Sequence, residues 1–315
     1  LTRDNKAHKQ YSSPQKQTAS WHSSKQTHRI LLLAVSWAYC NVEVRRVYNA
    51  KKYLWGKYHM SKKPVCLILG AGAGIGGNVG KKFAKEGYHT VLVRRSDEEG
   101  LNKLVADIND AGASAIGRLV NAVEEDAIEN LIVDIESKEG PIEVVVFNLG
   151  AQFGDRTLEN TSYKLFELGW RMTSFALFRV AKTLAPIMEA RGGGKILVTS
   201  ATSAMRGNSG QHAHAAAIGG RRLLCQTLNA ELSPKGIHIC HIYIDAMIEA
   251  PDTLGRLVGE EAYAQLLAAK ANGKDEMVIP EKVADTYYHI AHQHRSAWTS
   301  EVDIRPFTEQ PWWND

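Results

Sequence analysis

The chain has 315 residues, 44% hydrophobic and 23% charged, with a formal net charge of +4, an ordinary globular composition with ample material for a full core. That charge is unevenly spread: residues 1–59 hold eleven Lys/Arg against two Asp/Glu, and residues 60–315 hold 27 against 32. A mildly acidic body lacks the clustered positive surface that phosphate backbones require, which argues against nucleic acid as a partner.

The first 59 residues are rich in Ser, Gln, Lys and His, contain no methionine and show no clear periodicity. Two readings stand: a transit or signal segment, or translated sequence upstream of a start at Met60. The apolar run ILLLAVSWAYC, residues 30–40, matches a signal-type core but is too short to span a bilayer. On either reading the leader is expected to be disordered or docked on the surface. Without it the expected compartment is the cytoplasm; a genuine leader implies mitochondrial or other targeting. No membrane span is expected.

From Val65 onward the pattern is regular. Short apolar runs at 65–69, 90–93, 143–148, 195–200 and 237–244 alternate with segments of helical period. In NVGKKFAKEG, Val79, Phe83 and Ala84 share one face, with Lys81, Lys82 and Lys85 mostly on the other. Such alternation predicts right-handed crossovers and one doubly wound parallel α/β sheet covered on both faces. No long Pro/Gly/Ser linker follows Met60, so residues 60–315 are expected to form one domain.

Directly after the first run comes LGAGAGIGG, residues 69–77. A glycine-rich turn between strand and helix lets backbone approach a pyrophosphate and aims helix N-terminal amides at it. Gly70, Gly72, Gly74, Ile75 and Gly76 are therefore candidate dinucleotide contacts. The second strand ends in Arg94-Arg95, where a carboxylate would bind the ribose hydroxyls of NAD. An arginine fork suits a 2′-phosphate, so the pair favours NADP(H) over NAD(H).

These residues resemble the short-chain dehydrogenase/reductase family over about residues 64 to 305. Gly70-x-x-x-Gly74-x-Gly76 is similar to the family's TGxxxGxG, with Leu69 in place of Thr. Phe147-Asn148-Leu149-Gly150 resembles NNAG, which makes Asn148 and Gly150 cofactor-side residues. Asn121, followed by Ala122, stands where the family carries an adenine-contacting Asp. The resemblance implies a Rossmann-type sheet of about seven strands, a dinucleotide at its carboxyl edge and a substrate lid at about 246–275. It also implies a carbonyl or alcohol substrate and a homodimer or homotetramer.

The family's proton relay is altered. Aligning RRLLCQTLNAELSPKGIHI puts His214 at the Tyr position, Ile218 at the Lys position, Ala201 at the Ser position and Thr173 at the Asn position. No Tyr lies between Tyr163 and Tyr243, so no slip of register restores Tyr-x-x-x-Lys. His214 is a side chain type that titrates near neutrality and could supply the proton, with Ser200 or Thr202 orienting the substrate oxygen. Arg221 and Arg222, one turn beyond Ile218, could replace part of the missing cation. Two functional readings follow. One is an NADP(H)-dependent oxidoreductase on a carbonyl/alcohol pair with a degenerate site; the other is an inactive dinucleotide-binding sensor or scaffold subunit.

The remaining signals are weaker. Asp245, in the place of the family's Pro after the sixth strand, either raises the pKa of His214 or, as the simpler reading, caps the next helix. His212/His214 and His289/His292/His294 lack zinc-ligand spacing, so no metal is expected. Cys66 and Cys240 sit in strand-like runs as small hydrophobes, and no disulfide framework is expected. Gly219-Gly220 inside a helix implies close approach of another backbone. The aromatic tail RPFTEQPWW implies a partner subunit, a docked arm, or packing on the chain's own surface.

Overall fold

The computed structural model describes residues 62–150, 157–269 and 277–314. The expectations for the leader and for the far end of the lid lie outside the described residues. Seven parallel strands form one sheet: β1 (Val65–Leu69), β2 (His89–Arg94), β3 (Ser114–Leu119), β4 (Ile142–Phe147), β5 (Gly194–Ala201), β6 (Ile237–Ile244) and β7 (Glu301–Ile304). Their order across the sheet is β3-β2-β1-β4-β5-β6-β7. The central strands are apolar on both faces because both are covered; every residue of β1 is buried. Edge strands β3 and β7 carry half-exposed residues, and SAIGRL in β3 alternates too weakly to show as an apolar run.

The helices of eight residues or more among the described residues are α1 (Ile75–Lys85), α2 (Glu98–Asp110), α3 (Ala127–Lys138), α4 (Tyr163–Trp170), α5 (Ala176–Ala190), α6 (His212–Leu232), α7 (Glu260–Ala269) and α8 (Pro280–Ala291). A π-helical turn, Arg171–Phe175, joins α4 to α5. One face of the sheet packs Ile128, Ile132, Leu177, Leu184, Cys225 and Leu228 from α3, α5 and α6. The other packs Val79, Phe83, Leu101, Leu104, Val283 and Tyr287 from α1, α2 and α8. In α1, Val79, Phe83 and Ala84 are buried and Lys81 and Lys85 exposed, as the periodicity requires.

Capping follows local chemistry. The Asp97 side chain accepts from the Gly100 amide at the start of α2 at 3.1 Å, and Ser162 accepts from Leu165 at the start of α4 at 3.2 Å. Cys66, Cys225 and Cys240 are buried free thiols, pushed up by burial, the latter two to about 12. Among the described residues no helix is long and apolar enough to cross a membrane.

Candidate active site

Strand order reverses between β1 and β4, and the crevice beyond their carboxyl ends is where open α/β sheets bind ligands. The register sets Leu69 opposite Phe147, so the glycine loop and Asn148 leave the sheet side by side. The Asn148 amide donates to the Leu69 carbonyl at 2.8 Å, and its side-chain Nδ2 donates to the Gly70 carbonyl at 2.9 Å. Asn148 thus ties two loops together.

The glycines are required by space. At Gly70, φ is +95°, and a Cβ would lie 2.6 Å from the Asn148 carbonyl oxygen. At Gly76 a Cβ would lie 2.1 Å from the Gly70 oxygen. One at Gly74 would meet the Ala250 Cβ at 2.9 Å, whereas one at Gly72 would meet only an Asp252 oxygen at 3.9 Å. Ile75, the first residue of α1, is buried beneath the loop. The cradle therefore brings bare backbone and the start of α1 to one place, a fit for a pyrophosphate.

Around the cradle the expected contacts divide. Arg94 does not present a vacant fork: its Nε donates to the Ala71 carbonyl at 2.6 Å and its Nη1 pairs with Asp97. Arg95 is exposed. After β3, the Asn121 side-chain amide donates to Glu124 at 3.0 Å. The Ala122 carbonyl accepts from Arg179 Nη1 at 2.9 Å. Arg179, buried in α5 and doubly bonded to Glu129, pins this loop. Its only sequence signal is an arginine on an otherwise apolar helical face.

The altered relay positions lie on β5, on the π turn and on α6, and α6 packs against the π turn. His214 lies half-buried in the first turn of α6, and α6 packs on the turn Thr202–Ala204 that follows β5. Thr202 is half-buried; the Ser200 side chain is buried, and its hydroxyl has no hydrogen-bond partner among the described residues. Ile218 is 1% exposed, packed as a core residue. Thr173, inside the π turn, donates to the Gly169 carbonyl at 2.8 Å, and its neighbour Ser174 donates to the Ala217 carbonyl at 2.7 Å. Such π turns recur at functional sites. A Cβ at Gly150 would lie 3.4 Å from Thr173 Cγ2 and 3.6 Å from Arg221 Nη1.

The two arginines of α6 part company. Arg221 is fully buried, donates Nη1 to the Leu149 carbonyl at 2.6 Å and lies over the Phe147 ring. Burial lowers its guanidinium to about 10. It places a cation beneath the Leu149–Gly150 loop. Arg222 points away from the site, with a two-pronged pair to Glu301 on β7 at 2.7 and 3.0 Å. The second arginine is therefore a strand anchor.

Asp245 is spent on the tail: its Oδ2 accepts from the Trp312 amide at 3.0 Å, and Arg206 donates to the Trp312 carbonyl at 2.9 Å. The aromatic tail is thus a docked arm bridging the ends of β5 and β6. Gly219 has nothing within 4 Å of a built Cβ, and Gly220 meets only the Ser174 hydroxyl, so no backbone among the described residues explains the pair. His292 bonds Tyr88 and the Tyr288 carbonyl, and His294 bonds Ser296. Among the described residues no three His, Cys, Asp or Glu side chains are placed to hold a metal ion.

Comparison with known proteins shows the family. A short-chain reductase protein, NovJ, from Streptomyces niveus is 28% identical over 246 residues, covering 77% of this chain and 92% of its own. A short-chain dehydrogenase structure from Rhodopseudomonas palustris is 33% identical with a TM-score of 0.64, covering 78% of this chain and 99% of that one. An actinorhodin polyketide ketoreductase solved with NADPH is 25% identical with a TM-score of 0.68, covering 78% and 96%. Residues 64–249 match the family profile described as short chain dehydrogenase, and the chain belongs to that family.

Proposed function

We propose that the chain is an NADP(H)-dependent oxidoreductase acting on a carbonyl/alcohol pair, with His214 in place of the usual proton donor. The observation that carries the reading is the cradle: Gly70 and Gly76 tolerate no side chain, and Asn148 holds them against β4. Gly70, Gly72, Gly74, Ile75, Gly76, Asn148 and Gly150 would hold the dinucleotide's backbone side, with Asn121 and Ala122 toward adenine. With Arg94 engaged by Ala71 and Asp97, a preference for NADP(H) over NAD(H) rests mainly on exposed Arg95. Relatives support the same direction, since the ketoreductase was solved with NADPH.

A bound nicotinamide dinucleotide supplies or accepts the hydride. The chain supplies the proton and the environment for the substrate oxygen. His214 donates from an imidazole nitrogen at the mouth of α6, and the hydroxyl of Thr202 or Ser200 donates a hydrogen bond to the oxygen. Arg221 adds fixed positive charge beneath Leu149–Gly150 without exchanging a proton at neutral pH. Residues 246–269, the described part of the lid, border the substrate side.

A homodimer or homotetramer fits the outward faces of α4, α5 and α6. Phe166, Trp170, Phe178 and Leu223 are exposed there, and Leu223 stands one turn beyond Gly219, whose Cβ position is open.

The test is titration of the purified chain with NADPH and NADH, then single-turnover oxidation with reactive dicarbonyls. NADPH should bind and be consumed, and His214→Ala should abolish consumption while leaving binding intact. Tight binding with no hydride transfer to any substrate would replace the enzyme by a nucleotide sensor. Loss of binding to both nucleotides would remove the dinucleotide site itself.

A further inference from the structure

The glycine loop already carries an anion, and it comes from the chain. After β6, residues 246–249 run back along the edge of the crevice, held by a bridge between Ile248 and Val278. The Glu249 amide donates to the Val278 carbonyl at 3.0 Å, and the Val278 amide to the Met247 carbonyl at 2.9 Å. This clamp delivers the π-helical turn Pro251–Gly255 onto the loop. Ala250 is buried against Gly74, leaving no room for a side chain there. One residue of the turn, Asp252, then places its Oδ2 3.0 Å from the Ala73 amide, which donates to it. The same oxygen is 3.9 Å from Arg94 Nη1 and also 3.9 Å from a Cβ built at Gly72.

An acceptor oxygen on a glycine-loop amide, beside a guanidinium, has the chemistry of a phosphate oxygen. We infer that Asp252 is an internal competitor for a phosphate of the dinucleotide, so that its carboxylate must leave the Ala73 amide before the nucleotide seats. The inference rests on the dinucleotide reading of the cradle. Two phosphates could be the one displaced: the pyrophosphate, common to both nucleotides, or the 2′-phosphate of NADP(H) alone. Arg94 lies between Asp97 and Asp252, so its charge is shared by two carboxylates while the turn is docked. Removing Asp252 returns part of that charge to the ligand.

The experiment is fluorescence titration of the full chain, using its seven tryptophans, with NADPH and with NADH at fixed ionic strength. Wild type is compared with Asp252→Asn, which removes the charge, and Asp252→Ala, which removes the contact. Asp107→Asn, an exposed acid on α2 paired with Lys81, controls for net charge. Both Asp252 variants should bind NADPH about tenfold more tightly, the scale of one charge-assisted hydrogen bond, with the control unchanged. Equal tightening for NADH assigns the competition to the pyrophosphate, and tightening for NADPH alone assigns it to the 2′-phosphate. Unchanged or weaker binding in both variants, with wild type binding normally, overturns the inference and leaves the cradle standing. If wild type and variants all fail to bind either nucleotide, the cradle reading falls and the competitor with it.

Discussion

His241 shows what burial does to a single residue. It lies on β6 at 1% exposure, 3.6 Å from Glu301, and its ring nitrogens have no hydrogen-bond partner among the described residues. Burial first, then the Arg221 charge, lowers its imidazole from 6.5 to about 4. The native state keeps it neutral while the unfolded chain protonates it near its ordinary value. Between those values the unfolded state binds more protons, so stability is complete above about pH 6.5 and is lost as pH falls toward 4. His238 and His89, also lowered mainly by burial, act in the same direction. Thermal melts from pH 7 to 4 should show a falling Tm. His241→Leu should flatten the slope by removing about 1–3 kcal/mol of pH-dependent stability. An unchanged slope in the variant would refute the assignment.

Between elements, buried polar contacts fix how helices meet the sheet at the edge opposite the site. Glu136 on α3 is 3% exposed; its Oε1 accepts from the Ile142 amide at 2.9 Å, and both oxygens accept from Arg191 Nη1 at 3.0 Å. Burial raises its carboxyl, against the pull of Arg191. Removing one member leaves the other without its partner, which typically costs about 3–5 kcal/mol. Urea melts of Glu136→Ala and Arg191→Ala should each show destabilisation near that range. The double variant should lose less than the sum of the two; full additivity would mean the groups act independently. Arg179 is the counterpart nearer the cofactor edge, holding the Ala122 and Glu124 carbonyls so that the loop after β3 stays against α5.

For the molecule as a whole, the sheet order creates one crevice, and distant segments close around it. The tail bonds Asp245 after β6 through Trp312, the turn at 251–255 reaches the glycine loop through Asp252, and α6 reaches the loop after β4 through Arg221. The outward faces of α4, α5 and α6 carry large exposed apolar side chains, with Phe178 at 43% and Leu223 at 61% exposure. Light scattering should therefore give a mass of two or four chains of 34.8 kDa. Phe178→Asp with Leu223→Asp should yield monomer with its fold retained by circular dichroism. A wild-type monomer at micromolar concentration would refute the assembly.

The alternation of apolar runs, the glycine loop before a helix and the replacement of the Tyr-x-x-x-Lys pair by His214 and Ile218 at the aligned positions were legible in residue order. Each depends on neighbours within a few positions. The weakly patterned β3 was not legible as a strand, because an edge strand is under little pressure to be apolar on both sides. By residue order alone the sequence determined the sheet and the glycine loop at the end of its first strand. Tertiary structure decided how the long polar side chains are used. Arg94 closes on Ala71 and Asp97, Arg222 on Glu301, and Asp245 on Trp312. Asp252 reaches the Ala73 amide across 179 positions of sequence. A flexible charged side chain takes whichever partner folding brings within hydrogen-bond distance, and no local pattern encodes that choice.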